Sequence, residues 1–267
     1  MSRIELKTTK ILADVTDGVG WLTINQPERR NAVSLEMWQG IADACDAFQA
    51  DSGVRVVVIH GAGGKAFASG ADISEFEQSR ANAEQQKRYG EISHRGRSAL
   101  QELTKPLVAM IEGFCVGGGL ALALTADLRI ATPGSQFAIP AAKLGLGYEY
   151  DGLAALARLV GPSTAKDMLF TGRKLESAEA LRVGLINQVV ETDLLRSYVA
   201  DYAGTVAQNA PLTVHAAKAA IRVFERYSVD PAADEIAGLV EKCFDSSDYQ
   251  EGRRAFMEKR KPVFTGK

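Results

Sequence analysis

Two uninterrupted apolar runs, each followed closely by a glycine, restrict the fold most. They are Val56–Ile59 in "VRVVVIHG" and Leu107–Ile111 in "PLVAMIEG". A strand with one face in water alternates polar and apolar residues. A run without alternation needs cover on both faces, as in a parallel sheet between helices. The segment before the first run supplies such cover. Ser34 is placed to cap a helix reaching about Asp51, with Glu36 in its first turn and Leu35, Trp38, Ile41, Cys45 and Phe48 along one face. A polar, helix-favouring stretch, about 81–103, separates the two runs. Strands divided by helices predict an α/β core with parallel pairing.

The remaining chain fits around that core. "ILADVTDGVGWLTIN" predicts a β-hairpin turning at Asp17-Gly18. "DLRIATPGSQFAI" predicts short strands around a Pro-Gly turn, followed by helices near 153–160 and 163–170 and a late strand in "GLINQVV". Asp151 is the expected cap of the first of these helices. From Asp193 the sequence is helical in character, with Pro211 and Pro231 at helix starts. The expected division is a core over 1–200 and a helical region over 201–267.

Composition excludes several classes. A formal net charge of -2 on 267 residues provides no basic stripe for nucleic acid. The longest strongly apolar run, Phe114–Leu124, is far shorter than the roughly 20 residues of a membrane span. The N-terminal stretch lacks the apolar core of a signal peptide. Three cysteines, Cys45, Cys115 and Cys243, form no metal-ligand spacing. A cytoplasmic protein without a metal is expected. His94 lies in a polar stretch and reads as a solvated side chain. "HGAGGKAF" has the wrong spacing for a phosphate-binding loop.

Chemistry is concentrated at two glycine turns, each after a buried strand. In "GFCVGGGLALALTADLRIA" the chain passes from strand through Gly117, Gly118 and Gly119 into a helix. The first N–H groups of a helix lack internal partners and favour negative charge. Glycine also lets a ligand approach the main chain. Such a turn can form an oxyanion hole, or it can serve only close helix-on-sheet packing. The second turn is "KAFASGADISEF", which contains Ser69-Gly70-Ala71-Asp72.

With these two turns, "NQPERRNAVS", "AAKLGLG", "ARLVGPSTAKDMLFTGRKLESAEALRVGLINQVV" and "EGRRAFMEKRKPVF", the chain resembles the crotonase family, the enoyl-CoA hydratases and isomerases. The matching pieces cover nearly the whole sequence in order. The resemblance implies a spiral of β-β-α units with a C-terminal helical region that forms trimers, often paired into hexamers. It also implies an acyl-CoA substrate, with coenzyme A as part of the substrate and no separate cofactor. The thioester oxygen would lie between the amides of Ala71 and Gly118. Arg29, Arg30 and Lys259 match positions that meet CoA phosphates, and Phe256 matches an aromatic of the acyl or pantetheine tunnel.

Hydratases of that family carry two glutamates that activate water. The matching positions here are Ala121 and Ala141. An oxyanion donor is worth about 10²–10³ in rate and a general acid or base about 10²–10⁴. Losing both carboxylates therefore disfavours the usual hydration mechanism. Replacement groups stand in "LGLGYEYDG". Dienoyl-CoA isomerases and chlorobenzoyl-CoA dehalogenases have an aspartate where this chain has Glu149. Methylmalonyl-CoA decarboxylase-like members have a tyrosine where it has Tyr148. Glu149 can move a proton, with Tyr148 donating a hydrogen bond, or it can cap the following helix. Asp72 and Asp127 match structural positions. Isomerase- or decarboxylase-type chemistry is the expectation. The alternatives are hydration through another acid and acyl-CoA binding without turnover.

Overall fold

The computed structural model describes residues 2–72, 83–144, 150–226, 242 and 245–267. A seven-stranded sheet runs in the order β1 (Ser2–Ile4), β2 (Ile11–Thr16), β3 (Val19–Ile24), β4 (Val56–Gly61), β6 (Leu107–Ile111), β8 (Leu128–Ala131), β11 (Gln188–Val189). The pairs β1/β2 and β2/β3 are antiparallel; from β3 onward every neighbour is parallel. The hairpin turns at Asp17 (φ 50°) and Gly18 (φ 79°), the two positive angles that a tight primed turn requires.

The uninterrupted apolar runs divide between two faces. Val57, Ile59, Leu107, Ala109 and Ile111 join the core beneath helix α1 (Leu35–Ala50), with Ile41, Cys45 and Phe48. Val56, Val58, Val108 and Met110 face the other way, against Leu195, Val199 and Ala203 of α6 (Leu195–Gln208). Each fully buried branched side chain contributes about 1.5–3 kcal/mol, so covering both faces stabilises the sheet from two sides. Ser34 caps α1 as expected, accepting from the Met37 N–H at 3.3 Å. Helix α2 (Ala83–Glu102) packs beside α1.

At the sheet's outer face His60 meets Thr23 Oγ1 at 3.0 Å and Arg196 Nη1 at 3.2 Å. The Arg196 guanidinium lies 3.5 Å from the Trp21 ring centre. Burial and the Arg196 charge push the His60 imidazole down to about 4, so it is neutral at pH 7.

A second sheet of four strands has the order β10 (Leu175–Glu176), β9 (Gln136–Ala138), β7 (Phe114–Val116), β5 (Ala66–Ala68). Its strands β5, β7 and β9 follow β4, β6 and β8 directly, so the chain leaves the large sheet for the small one three times. The short strands around the Pro-Gly turn are both present, but β8 and β9 belong to different sheets. Helix α3 (Gly118–Ala123) follows β7, and α4 (Tyr150–Thr171) follows the loop after β9. The two helices expected near 153–160 and 163–170 are both present within α4, divided at Gly161 (φ 77°, ψ 155°) before Pro162.

Asp151 is not the cap of that element. The helix already includes Tyr150, so Asp151 lies in the first turn. Helices α5 (Ser177–Arg182), α7 (Pro211–Arg226) and α8 (Ser247–Glu258) complete the described elements, and Pro211 opens α7 as expected. Pro231 and Cys243 lie outside the described residues; Cys45 and Cys115 are buried thiols. No described helix is long and apolar enough to cross a membrane.

Candidate active site

Three strands of the small sheet deliver their C-terminal ends to one place, where ligands of open parallel sheets commonly bind. After β5 the chain runs through Gly70 and Ala71, after β7 through Gly117 into α3, and after β9 into a turn over Ala141–Leu144. The Gly117 N–H donates to the Ala138 carbonyl at 2.8 Å, joining the second end to the third. A β-carbon placed on Gly118 would stand 3.4 Å from the Ala71 amide nitrogen, joining the second to the first.

The glycine triplet serves three different needs. Gly117 has φ 56° and ψ −122°, a combination that side chains strongly disfavour. A β-carbon on Gly119 would fall 2.0 Å from the Ala68 carbonyl oxygen, so only glycine lets α3 settle on β5. At Gly118 neither demand applies. Its φ is not positive, and among the described residues its added β-carbon would meet nothing closer than 3.4 Å. The fold accounts for the first and third glycines. What a side chain at the middle one would fill is the space beside the Ala71 amide.

Neither the Ala71 nor the Gly118 amide is taken up by another described residue. Val33 forms a parallel bridge with Ala71: the Val33 N–H donates to the Gly70 carbonyl at 2.8 Å, and its carbonyl accepts from the Asp72 N–H at 3.0 Å. In such a bridge the intervening residue turns its own N–H away from the partner strand. Gly118 is the first residue of α3, where N–H groups have no intrahelical acceptor. Among the described residues neither amide has an acceptor.

The Ala71 turn is held by the segment 26–33. The Ser69 N–H donates to the Arg30 carbonyl at 3.0 Å. Asn31, fully buried at φ 56°, donates through Nδ2 to the carbonyls of Ala62 (2.9 Å) and Ala66 (2.7 Å), and its Oδ1 accepts from the Gln26 N–H at 2.9 Å. The buried Asp72 carboxylate accepts from Gln26 Nε2 at 3.2 Å and from Arg29 Nη1 at 3.0 and 3.3 Å.

The chain matches the family model for enoyl-CoA hydratase/isomerase over residues 14–267. It belongs to that family. The crotonyl-CoA hydratase of Syntrophomonas wolfei is 34% identical over 257 residues, which are 96% of this chain and 98% of that one. The short-chain-enoyl-CoA hydratase of Clostridium acetobutylicum is 32% identical, covering 96% and 97%. A solved enoyl-CoA hydratase/carnithine racemase from Magnetospirillum magneticum is 38% identical with a TM-score of 0.89, covering 98% of this chain and 97% of its own. The two-sheet architecture is thus the crotonase fold, and the expected α/β spiral is the one observed.

The other family-matched positions are distributed as follows. Ala121 follows Gly118 by one helical turn in α3, its N–H bonded to the Gly117 carbonyl at 3.0 Å; Ala141 is buried after β9. Both are alanines, so neither position carries an ionisable group. Tyr148 and Glu149 lie outside the described residues, as does the side chain of Phe256 in α8. Arg30 is exposed and stacks 5.2 Å from the Phe114 ring centre, with Lys174 at 5.0 Å from the same ring. Lys259 is exposed with φ 55°, directly after α8.

Asp127 accepts from the Leu107 N–H at 2.6 Å and pairs with Lys218 at 2.7 Å, so its carboxylate ties strands and helix together. His94 is exposed on α2 beside Ser98. Burial raises the pKa of Glu112, which follows β6 beside Gly64. Sequence reasoning passed over Gln26 and Asn31. Their one visible signal is that polar side chains in "NQPERRN" stand between two apolar segments.

Proposed function

We propose that this family member polarises the carbonyl of an acyl-CoA thioester between the N–H groups of Ala71 and Gly118, and stabilises the enolate formed when a bond at the α-carbon breaks. The observation that carries this is the middle glycine: no backbone or packing demand calls for it, yet a side chain there would occupy the space beside a free amide. Glu149 moves the proton and Tyr148 hydrogen-bonds the substrate, because the two positions that hold water-activating carboxylates in hydratases are Ala121 and Ala141. One acid suits isomerisation or decarboxylation, in which no water is added. Arg30 and Lys259 bind CoA phosphates, and the subunits form trimers or hexamers.

A second reading is addition or elimination of water through another acid. The names of the Syntrophomonas and Clostridium relatives favour it. One set of experiments separates the readings. Enoyl-, dienoyl-, malonyl- and aryl-CoA thioesters are incubated with the protein in deuterium oxide and the products weighed by mass spectrometry. The proposal expects a double-bond shift or loss of carbon dioxide, α-proton exchange on bound acyl-CoA, and no exchange with Glu149→Gln. A mass gain or loss of one water supports the second reading. Tight acyl-CoA binding with neither exchange nor turnover shows a binding protein instead.

A further inference from the structure

We infer that Arg29 and Asp72 are positioning residues for the Ala71 amide, and that Arg29 is not a ligand of CoA phosphate. The inference rests on the proposed function in one respect: it takes the Ala71 amide to be the oxyanion donor. Three observations support it. First, the Asp72 carboxylate is buried and directly follows Ala71, so whatever fixes Asp72 fixes the peptide plane beside the donor. Secondly, Arg29 approaches both carboxylate oxygens, at 3.0 and 3.3 Å, while Gln26 takes one of them at 3.2 Å. A buried carboxylate needs such partners, and removing one leaves an uncompensated charge.

Thirdly, the Arg29 backbone belongs to a short turn over Pro27–Arg29 whose other end is locked by Asn31. The guanidinium therefore spans from one fixed segment to the other. Together with the bridge at Val33 it closes a clasp around Gly70–Asp72, with main-chain bonds on one side and the ion pair on the other. An exposed phosphate ligand would project from the surface with its donors unspent. Arg29 is half-exposed but turns Nη1 back onto Asp72 beside Ala71, whereas the exposed Arg30 lies over the Phe114 ring.

The test compares wild type with Arg29→Ala, Asp72→Asn and Arg29→Lys, the last keeping the charge should Arg29→Ala fail to fold. Affinity and turnover, or α-proton exchange, are measured with an acyl-CoA and with the matching acyl-pantetheine, which has no CoA phosphates. A displaced donor lowers turnover about tenfold or more. The expected result is that loss, equal for both thioesters, with acyl-CoA affinity within about twofold of wild type and substantial recovery in Arg29→Lys. A phosphate ligand gives the opposite pattern: affinity lost for acyl-CoA alone, with turnover at saturation kept. That result, or unchanged turnover, overturns the inference.

Amide hydrogen exchange at Asp72 in the free protein provides a readout independent of any substrate. It should accelerate in Arg29→Ala and Asp72→Asn, and unchanged protection overturns the tie. If wild-type protein acts on no thioester, the proposed function fails, and the exchange measurement still decides the Arg29–Asp72 tie by itself.

Discussion

The Ala71 amide nitrogen lies 3.4 Å from where a β-carbon on Gly118 would stand. That separation is ordinary van der Waals contact, so the fold can hold a methyl group there. A substrate oxygen seeking the same space cannot share it.

Gly118→Ala should therefore separate folding from function. Alanine is the better helix former by about 1 kcal/mol, and the residue opens α3. Thermal unfolding should change little, while turnover or α-proton exchange should fall at least about 10²-fold, the value of one oxyanion donor. A variant of full activity would remove Gly118 from the site.

The neighbouring substitution, Gly119→Ala, should act on the fold first. Its methyl group would fall 2.0 Å from the Ala68 carbonyl, against strand backbone that has no rotamer to change. Overpacking typically costs about 1–3 kcal/mol, and a clash with backbone belongs at the upper end of that range. Urea unfolding should show that loss, and activity of the folded fraction should fall with it.

Asn31 combines a left-handed backbone with three hydrogen bonds, two buried and the one to Ala62 partly buried. Asn31→Ala would leave the Ala62 and Ala66 carbonyls and the Gln26 N–H unpaired, at about 1–3 kcal/mol for each group left unsatisfied. Asn31→Gly loses the same bonds but relieves the backbone angle, worth about 1 kcal/mol. Both variants should be strongly destabilised, with the glycine variant the less affected, when chemical denaturation is compared.

Acid should weaken the fold through His60. Its pKa in the folded chain, about 4, is below the ordinary 6.5. The neutral ring's stabilising contribution is complete above pH 6.5 and is lost as pH falls from 6.5 through 4. Between pH 7 and pH 5 this amounts to about 2 kcal/mol. Unfolding free energies at the two pH values should differ by about that much more in wild type than in His60→Gln.

Much of the large sheet was legible because its signals are local. Asp17-Gly18 dictates a turn within a few residues, Ser34 caps α1 by its own hydroxyl, and Gly161-Pro162 breaks α4 through backbone angles alone. The apolar runs at 56–59 and 107–111 announced that both faces would be covered, and the two clusters cover them. Of the small sheet's longer strands only β9 was legible, as a short strand after the Pro-Gly turn. Strands β5, β7 and β9 have three residues each, too few to show a period, and what defines them is pairing such as Phe114 with Gln136.

The site divides in the same way. Gly117–Gly119 and Ser69–Asp72 stood out as glycine turns after buried strands, but the assignment of Ala71 and Gly118 as donors came from family resemblance. The distinct duties of the three glycines became visible only when Ala68 and Ala71 were brought beside them. The Arg29–Asp72 pair joins residues 43 apart in the chain, and no spacing rule connects them.

The three-residue length of β5 and β7 restricts how this protein can evolve. On the proposed function, one inserted or deleted residue between 66 and 71, or between 114 and 118, would shift an amide by about 3.3 Å, too far for both amides to reach one oxygen. Drift in length is therefore barred from both segments. New substrate preferences must arise by exchanging side chains there, or by remodelling loops that do not carry the two amides.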